Sequence, residues 1–224
     1  MPEVIINGPA GRIEGRYLPP KVIGSPIAVI LHPHPHPQHG GTMNNKIVYT
    51  LYNLFAQRGF ATLRFNFRGV GRSQGTFDRG EGELSDAAAA LDWLQTYNPD
   101  APACWIAGFS FGAWIGMQLL MRRPEISGFV SIAPPANLFD FSFLAPCPSS
   151  GLVVHGTADE VVPSESVQKL VDKLSHQRDI AIKYKSIPGA NHFFTNKIEQ
   201  MGNSVGAYLD EVLKAPAKAK ATAG

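Results

Sequence analysis

Apolar residues fall along this chain in two alternating rhythms. Residues 27–32, 60–65, 103–107, 129–133, 152–155 and 180–187 are short apolar or β-branched runs that read as strands. Between them, residues 47–58, 84–97, 111–121, 164–176 and 197–213 space their apolar positions as helices do. Gly59 closes the first helix and Asn98-Pro99 the second, as turn chemistry requires. Ahead of this series, residues 4–6 and 16–18 read as a short leading hairpin.

Strands alternating with helices predict an α/β fold: a mostly parallel, twisted sheet with helices on both faces. No internal repeat is visible, and no insertion is long enough for a separate cap domain; residues 134–150 are the one candidate lid. A single domain over residues 1–214 is expected, followed by an Ala/Lys-rich tail, 215–224, expected to be disordered.

The 224 residues suit one domain with a sizeable core. A formal charge of +2 is near balance, so neither nucleic acid nor an anionic membrane is implied as partner. No stretch has the length of a membrane span, and Met1-Pro2-Glu3 does not open a signal peptide, so a cytoplasmic location is expected. Cys104 and Cys147 have no metal or disulfide spacing, and Cys104, in an apolar run, reads as a small buried hydrophobe. The sequence leaves a homodimer open.

Chemistry enters with Gly108-Phe109-Ser110-Phe111-Gly112, which sits between a strand-like run and a helix-like run. That context is what a nucleophile elbow needs, because the serine must be held exposed on a tight turn. A second match, Gly71-Arg72-Ser73-Gln74-Gly75, has loop residues on both sides and reads as a turn. A serine hydroxyl attacks at neutral pH only when a base takes its proton, and the base needs a carboxylate to fix its tautomer. Asp159 follows a strand by a short loop, and His192 lies on the turn between the last strand and the last helix. The order Ser110…Asp159…His192 therefore assembles nucleophile, acid and base. Asp140 is the alternative acid, while Glu160 is adjacent but expected to point away.

The run His32-Pro33-His34-Pro35-His36-Pro37-Gln38-His39-Gly40-Gly41 invites a metal reading. Prolines force extended backbone, however, so these histidines cannot sit as ligands one helical turn apart, and no cysteine or acid adjoins them. The segment follows the strand facing the elbow and can offer a backbone N–H to an oxyanion. Proline has none, which leaves His34 as leading donor, with Phe111 at the helix start as the other. No metal or organic cofactor is expected. Phe139, Phe141, Phe143 and Leu144 form an apolar stretch expected to line a substrate pocket.

With these parts assembled, the chain resembles the α/β-hydrolase superfamily from Ile27 to Leu213. The matching parts are the Ser110 elbow, the Asp159 loop, Pro188-Gly189-Ala190-Asn191-His192, and Leu31-His32-Pro33-His34 where such enzymes carry His-Gly-x. Phe67-Arg68-Gly69-Val70-Gly71-Arg72-Ser73 corresponds to a structural turn of that superfamily. Within it the chain is similar to small cap-less bacterial hydrolases of the dienelactone-hydrolase and prolyl-oligopeptidase-like groups, with Ser110 where dienelactone hydrolases carry cysteine. The resemblance implies a serine hydrolase for a small-molecule ester substrate. The alternatives are a small aminopeptidase, amidase or thioesterase, or a binding protein on the same fold.

Overall fold

The computed structural model describes residues 2–32, 40–144, 146–177 and 179–214. The predicted α/β architecture is present throughout them. Strands β1 (Glu3–Gly8) and β2 (Gly11–Leu18) form the leading hairpin. There follow β3 (Ile27–Leu31), α1 (Lys46–Gln57), β4 (Ala61–Phe65), α2 (Glu81–Thr96), β5 (Cys104–Phe109) and α3 (Phe111–Arg122). The series continues with β6 (Ile126–Ile132), β7 (Gly151–Gly156), α4 (Ser164–Ser175), β8 (Ile182–Ile187) and α5 (Ile198–Lys214). One sheet holds all eight strands in the order β1-β2-β4-β3-β5-β6-β7-β8. Pairing from β4 through β8 is parallel, and the β1–β2 hairpin joins it antiparallel through β2 and β4. The expected tail, 215–224, lies outside the described residues.

Central strands buried on both faces must send alternate side chains into two different cores. In β3, Ile27, Val29 and Leu31 enter one core, where α2, α3 and α4 contribute Leu91, Ile115 and Val171. Ala28 and Ile30 enter the other, with Leu51 and Phe55 of α1 and Val205 and Leu209 of α5. The same alternation divides Ile106 of β5 from Trp105 and Ala107. This double burial explains why the strands read as continuous apolar runs.

The strand order reverses beside β3: the chain goes from β3 to β4 on one side, then crosses to β5 on the other. Loops leaving the carboxyl ends of adjacent strands diverge at such a point and leave a crevice between them. The loops after β3, β5, β6, β7 and β8 border that crevice.

Candidate active site

Ser110 is pinned between β5 and α3. Its φ of 53° and ψ of −119° lie outside the favoured regions for an L-residue. The strain is held in place by Ser110 N–H donating to Ile132 O (2.9 Å) and by Ala113 N–H donating back to Ser110 O (2.8 Å). The flanking glycines are steric necessities. A Cβ on Gly108 would lie 2.3 Å from Gly112 O, and one on Gly112 would lie 2.5 Å from His32 O and 2.6 Å from Leu31 O. Strand, turn and helix approach so closely here that only glycine fits at either position.

The loop that carries Asp159 is equally constrained. Asp159 is buried; its Oδ1 accepts from Val161 N and Val162 N, both at 2.8 Å, and its Oδ2 lies 2.8 Å from His192 Nδ1. Burial by itself would raise this carboxyl. The bond from His192 and the amides of Val162 and Val161 outweigh it and hold Asp159 below the usual carboxylate range. An ionised carboxylate only accepts, so Nδ1 of His192 carries the hydrogen. That leaves the Nε2 lone pair aimed at Ser110 Oγ, 3.1 Å away. The His192 ring is packed against Phe109 and Phe193, with centroids 5.2 Å from each. The structure thus brings Ser110, His192 and Asp159 into one hydrogen-bonded chain. Asp140, the alternative acid, is turned instead to Ser142, whose N–H and Oγ–H it accepts at 2.8 and 2.6 Å.

Phe111 is the first residue of α3 and lines the cleft beside Ser110. His34 lies outside the described residues, as do His36 and His39. The His32 ring is buried, and its Nε2 accepts from Phe67 N–H at 2.9 Å. Ser73 of the second Gly-x-Ser-x-Gly string is buried too; it donates to Asn66 O (2.6 Å) and accepts from Glu14 N–H (3.0 Å), the work of a turn serine.

The cleft over Ser110 is lined by Gly40, Gly41, Asn45, Phe111, Pro135, Leu138, Phe139, Val161, His192 and Phe193. Of the four expected pocket residues, Phe139 alone is in this set, stacked on Trp114 at 4.3 Å. Phe141, Phe143 and Leu144 do not line the cleft, and that expectation is corrected. A short 3-10 helix, Ser142–Leu144, turns the chain inward just after Phe141, so that Phe141 and Leu144 are buried in the core and Phe143 packs against it. The segment read as a lid is fastened down: Cys147 N–H donates to Gln177 Oε1 (2.5 Å) and Ser149 Oγ–H to Ile126 O (2.8 Å). Sequence reasoning missed Leu138, Val161, Pro135 and Asn45 as cleft residues. For Val161 a signal was present, two positions past the acid.

Among the described residues no helix is long and apolar enough to cross a membrane.

An open, mostly parallel sheet with a strained serine between β5 and α3 defines a lid-less α/β serine hydrolase. Residues 12–145 match the X-Pro dipeptidyl-peptidase (S15) family and residues 128–215 the prolyl oligopeptidase family. The first match spans more than half of the chain, which belongs to that family within the α/β-hydrolase superfamily. Similar solved structures include an α/β hydrolase of unknown function from Agrobacterium tumefaciens, 64% identical with a TM-score of 0.92, covering 95% of this chain and 96% of that one. A lid-less serine hydrolase from Xanthomonas campestris is 32% identical with a TM-score of 0.85, covering 96% of each chain. An uncharacterised protein of Rickettsia prowazekii is 53% identical, covering 93% of this chain and 89% of its own length. The mouse lysophosphatidylserine lipase is 27% identical over 84% of this chain, which spans only 57% of the lipase.

Proposed function

We propose that the protein hydrolyses carboxylic esters by acyl transfer to Ser110. The observation that carries this reading is the chain Ser110 Oγ–His192 Nε2 (3.1 Å) and His192 Nδ1–Asp159 Oδ2 (2.8 Å), opening onto an apolar cleft. Ser110 Oγ attacks the carbonyl carbon while His192 Nε2 takes its proton. Asp159 fixes the tautomer and stabilises the imidazolium. The Phe111 N–H, with the His34 N–H as its proposed partner, receives the oxyanion; each such donor is worth about 10²–10³-fold in rate. The tetrahedral species collapses, His192 returns the proton to the departing alcohol, and water enters through the same base to free the acid and Ser110.

Esters are favoured over peptides by the character of the cleft. An aminopeptidase or dipeptidyl-peptidase must hold a free ammonium with a carboxylate. Among the described lining residues there is no Asp or Glu, and residues 33–39 beside Gly40 contain none in sequence. The lipase among the relatives supports the same bond class. No step needs a metal or an organic cofactor.

The test is covalent labelling with a fluorophosphonate probe, read by peptide mass mapping alongside p-nitrophenyl acetate turnover. Label is expected on Ser110 and lost in Ser110→Ala and His192→Ala, with turnover down by about 10⁴-fold or more. Label at another residue, or none on a folded protein, would sink the reading and favour a binding role for the fold.

A further inference from the structure

Among the described residues ten large apolar side chains are exposed, and three of them, Leu138, Val161 and Phe193, border this one cleft. Their exposures are 60%, 44% and 53%. They come from the loops after β6, β7 and β8, so nothing local in the sequence makes them neighbours. Scattered exposed apolar groups are ordinary, whereas a contiguous set at the mouth of a site marks a binding surface. These three are also held in place. Asn137 Nδ2 donates to Val161 O at 3.1 Å, tying the first two loops together, and Val161 N–H is bound to Asp159 Oδ1. Leu138 N–H donates to Pro135 O (3.0 Å), and the Phe193 ring stands edge-on to His192 and Phe109.

The cleft measures about 170 Å³. A cavity of about 150 Å³ is filled by one benzene-sized group, so roughly six carbons fit inside. A longer chain outgrows that volume, and the exposed apolar lining it can reach is Leu138, Val161 and Phe193. We infer that the site acts on esters bearing one linear alkyl arm longer than about six carbons, with Leu138, Val161 and Phe193 as the residues that seat the outer part of that arm. This rests on the ester reading above and adds the substrate class to it.

A fully buried methylene is worth about a fourfold gain in binding; one covered on a single side, as on an open rim, is worth about twofold. The experiment measures kcat/KM on dissolved p-nitrophenyl esters from acetate to decanoate and on alkyl acetates of matching lengths. In one series the value should keep rising beyond six carbons, by about sixteenfold from six to ten. In the double variant Leu138→Ser, Phe193→Ser that ten-to-six ratio should fall to about two or less. A wild-type ratio near one in both series overturns the inference, as does a ratio that the double variant leaves untouched. Rates that rise only on adding phosphatidylcholine vesicles also overturn it, because the rim then seats on a lipid surface rather than on one chain. Ser110 labelling and acetate turnover separate the two levels. With both present, a flat profile removes the alkyl-arm inference alone; with neither, the ester reading falls as well.

Discussion

His155 sits in β7, four residues before Asp159, with no exposed surface. Its Nε2–H donates to Val162 O at 3.0 Å, while Nδ1 makes no hydrogen bond among the described residues and lies 3.8 Å from Asp159 Oδ2. Burial disfavours the imidazolium more than the neighbouring carboxylate favours it, so His155 stays neutral below its ordinary value of 6.5. The unfolded chain accepts a proton near 6.5 that the folded ring refuses, so its contribution to stability is intact above 6.5 and is lost as pH falls below it. Thermal melts should therefore show Tm declining as pH falls below 6.5, with a shallower decline in His155→Gln. A parallel decline in the variant would place the effect elsewhere. Asp159 adds a second loss at lower pH, through and below its ordinary value of 3.8, because its folded carboxyl holds a charge that the unfolded one gives up. At this scale chain order and strand ends were enough to single out Ser110, Asp159 and His192 as candidates, and the structure places them within hydrogen-bond distance. The neutral state of His155 was not legible in the sequence, because it follows from burial of the ring, which only the packed fold around β7 provides.

The decisive element is β5–turn–α3. Its tolerance is set by backbone rather than by side chains that could move aside: Gly112 meets the carbonyls of Leu31 and His32 from the neighbouring strand end. Gly112→Ala should cost about 1–3 kcal/mol by overpacking. It should also slow Ser110 labelling, measured at a temperature where the variant is still folded by circular dichroism. A variant that is destabilised yet labelled at the wild-type rate would show that the elbow can shift without misplacing the hydroxyl. Element types were legible from periodicity, and the ends less so. Helix α2 starts at Glu81 rather than at the first apolar position, 84, because buried Glu83 accepts from Asp78 N–H and Gly80 N–H and extends the helix by a capped turn. Strand β6 starts at Ile126 rather than 129 because pairing with β5 carries it back past the apolar run. The inward turn at Ser142–Leu144 was invisible, since Phe141 and Leu144 have the same composition whether they face a cleft or a core.

Across the whole molecule, the sheet separates what holds the fold from what carries the chemistry. Phe55, near the end of α1, packs on Phe60 and Trp105 at 5.0 and 6.2 Å in the core shared by α1 and α5. It belongs to the amino-terminal end of the strands, away from the Ser110 edge. Phe55→Ala should lower stability by about 3–5 kcal/mol, and Tm by about 2–4 °C for each kcal/mol. Ser110 labelling at 25 °C should stay at the wild-type rate. Loss of labelling in a folded Phe55→Ala protein would mean that the two ends of the sheet are coupled. The alternating strands and helices made the layered architecture legible; the cleft wall was not, because it is assembled from five separate loops whose proximity only the strand order decides.

That assembly bears on how such a protein can diversify. Val161 stands two positions from Asp159, and Phe193 adjoins His192, so a longer or bulkier loop at either place would drag Asp159 or His192 with it. Leu138 shares its loop with neither. Of these three lining positions, Leu138 alone can change size without moving the backbone beside Asp159 or His192.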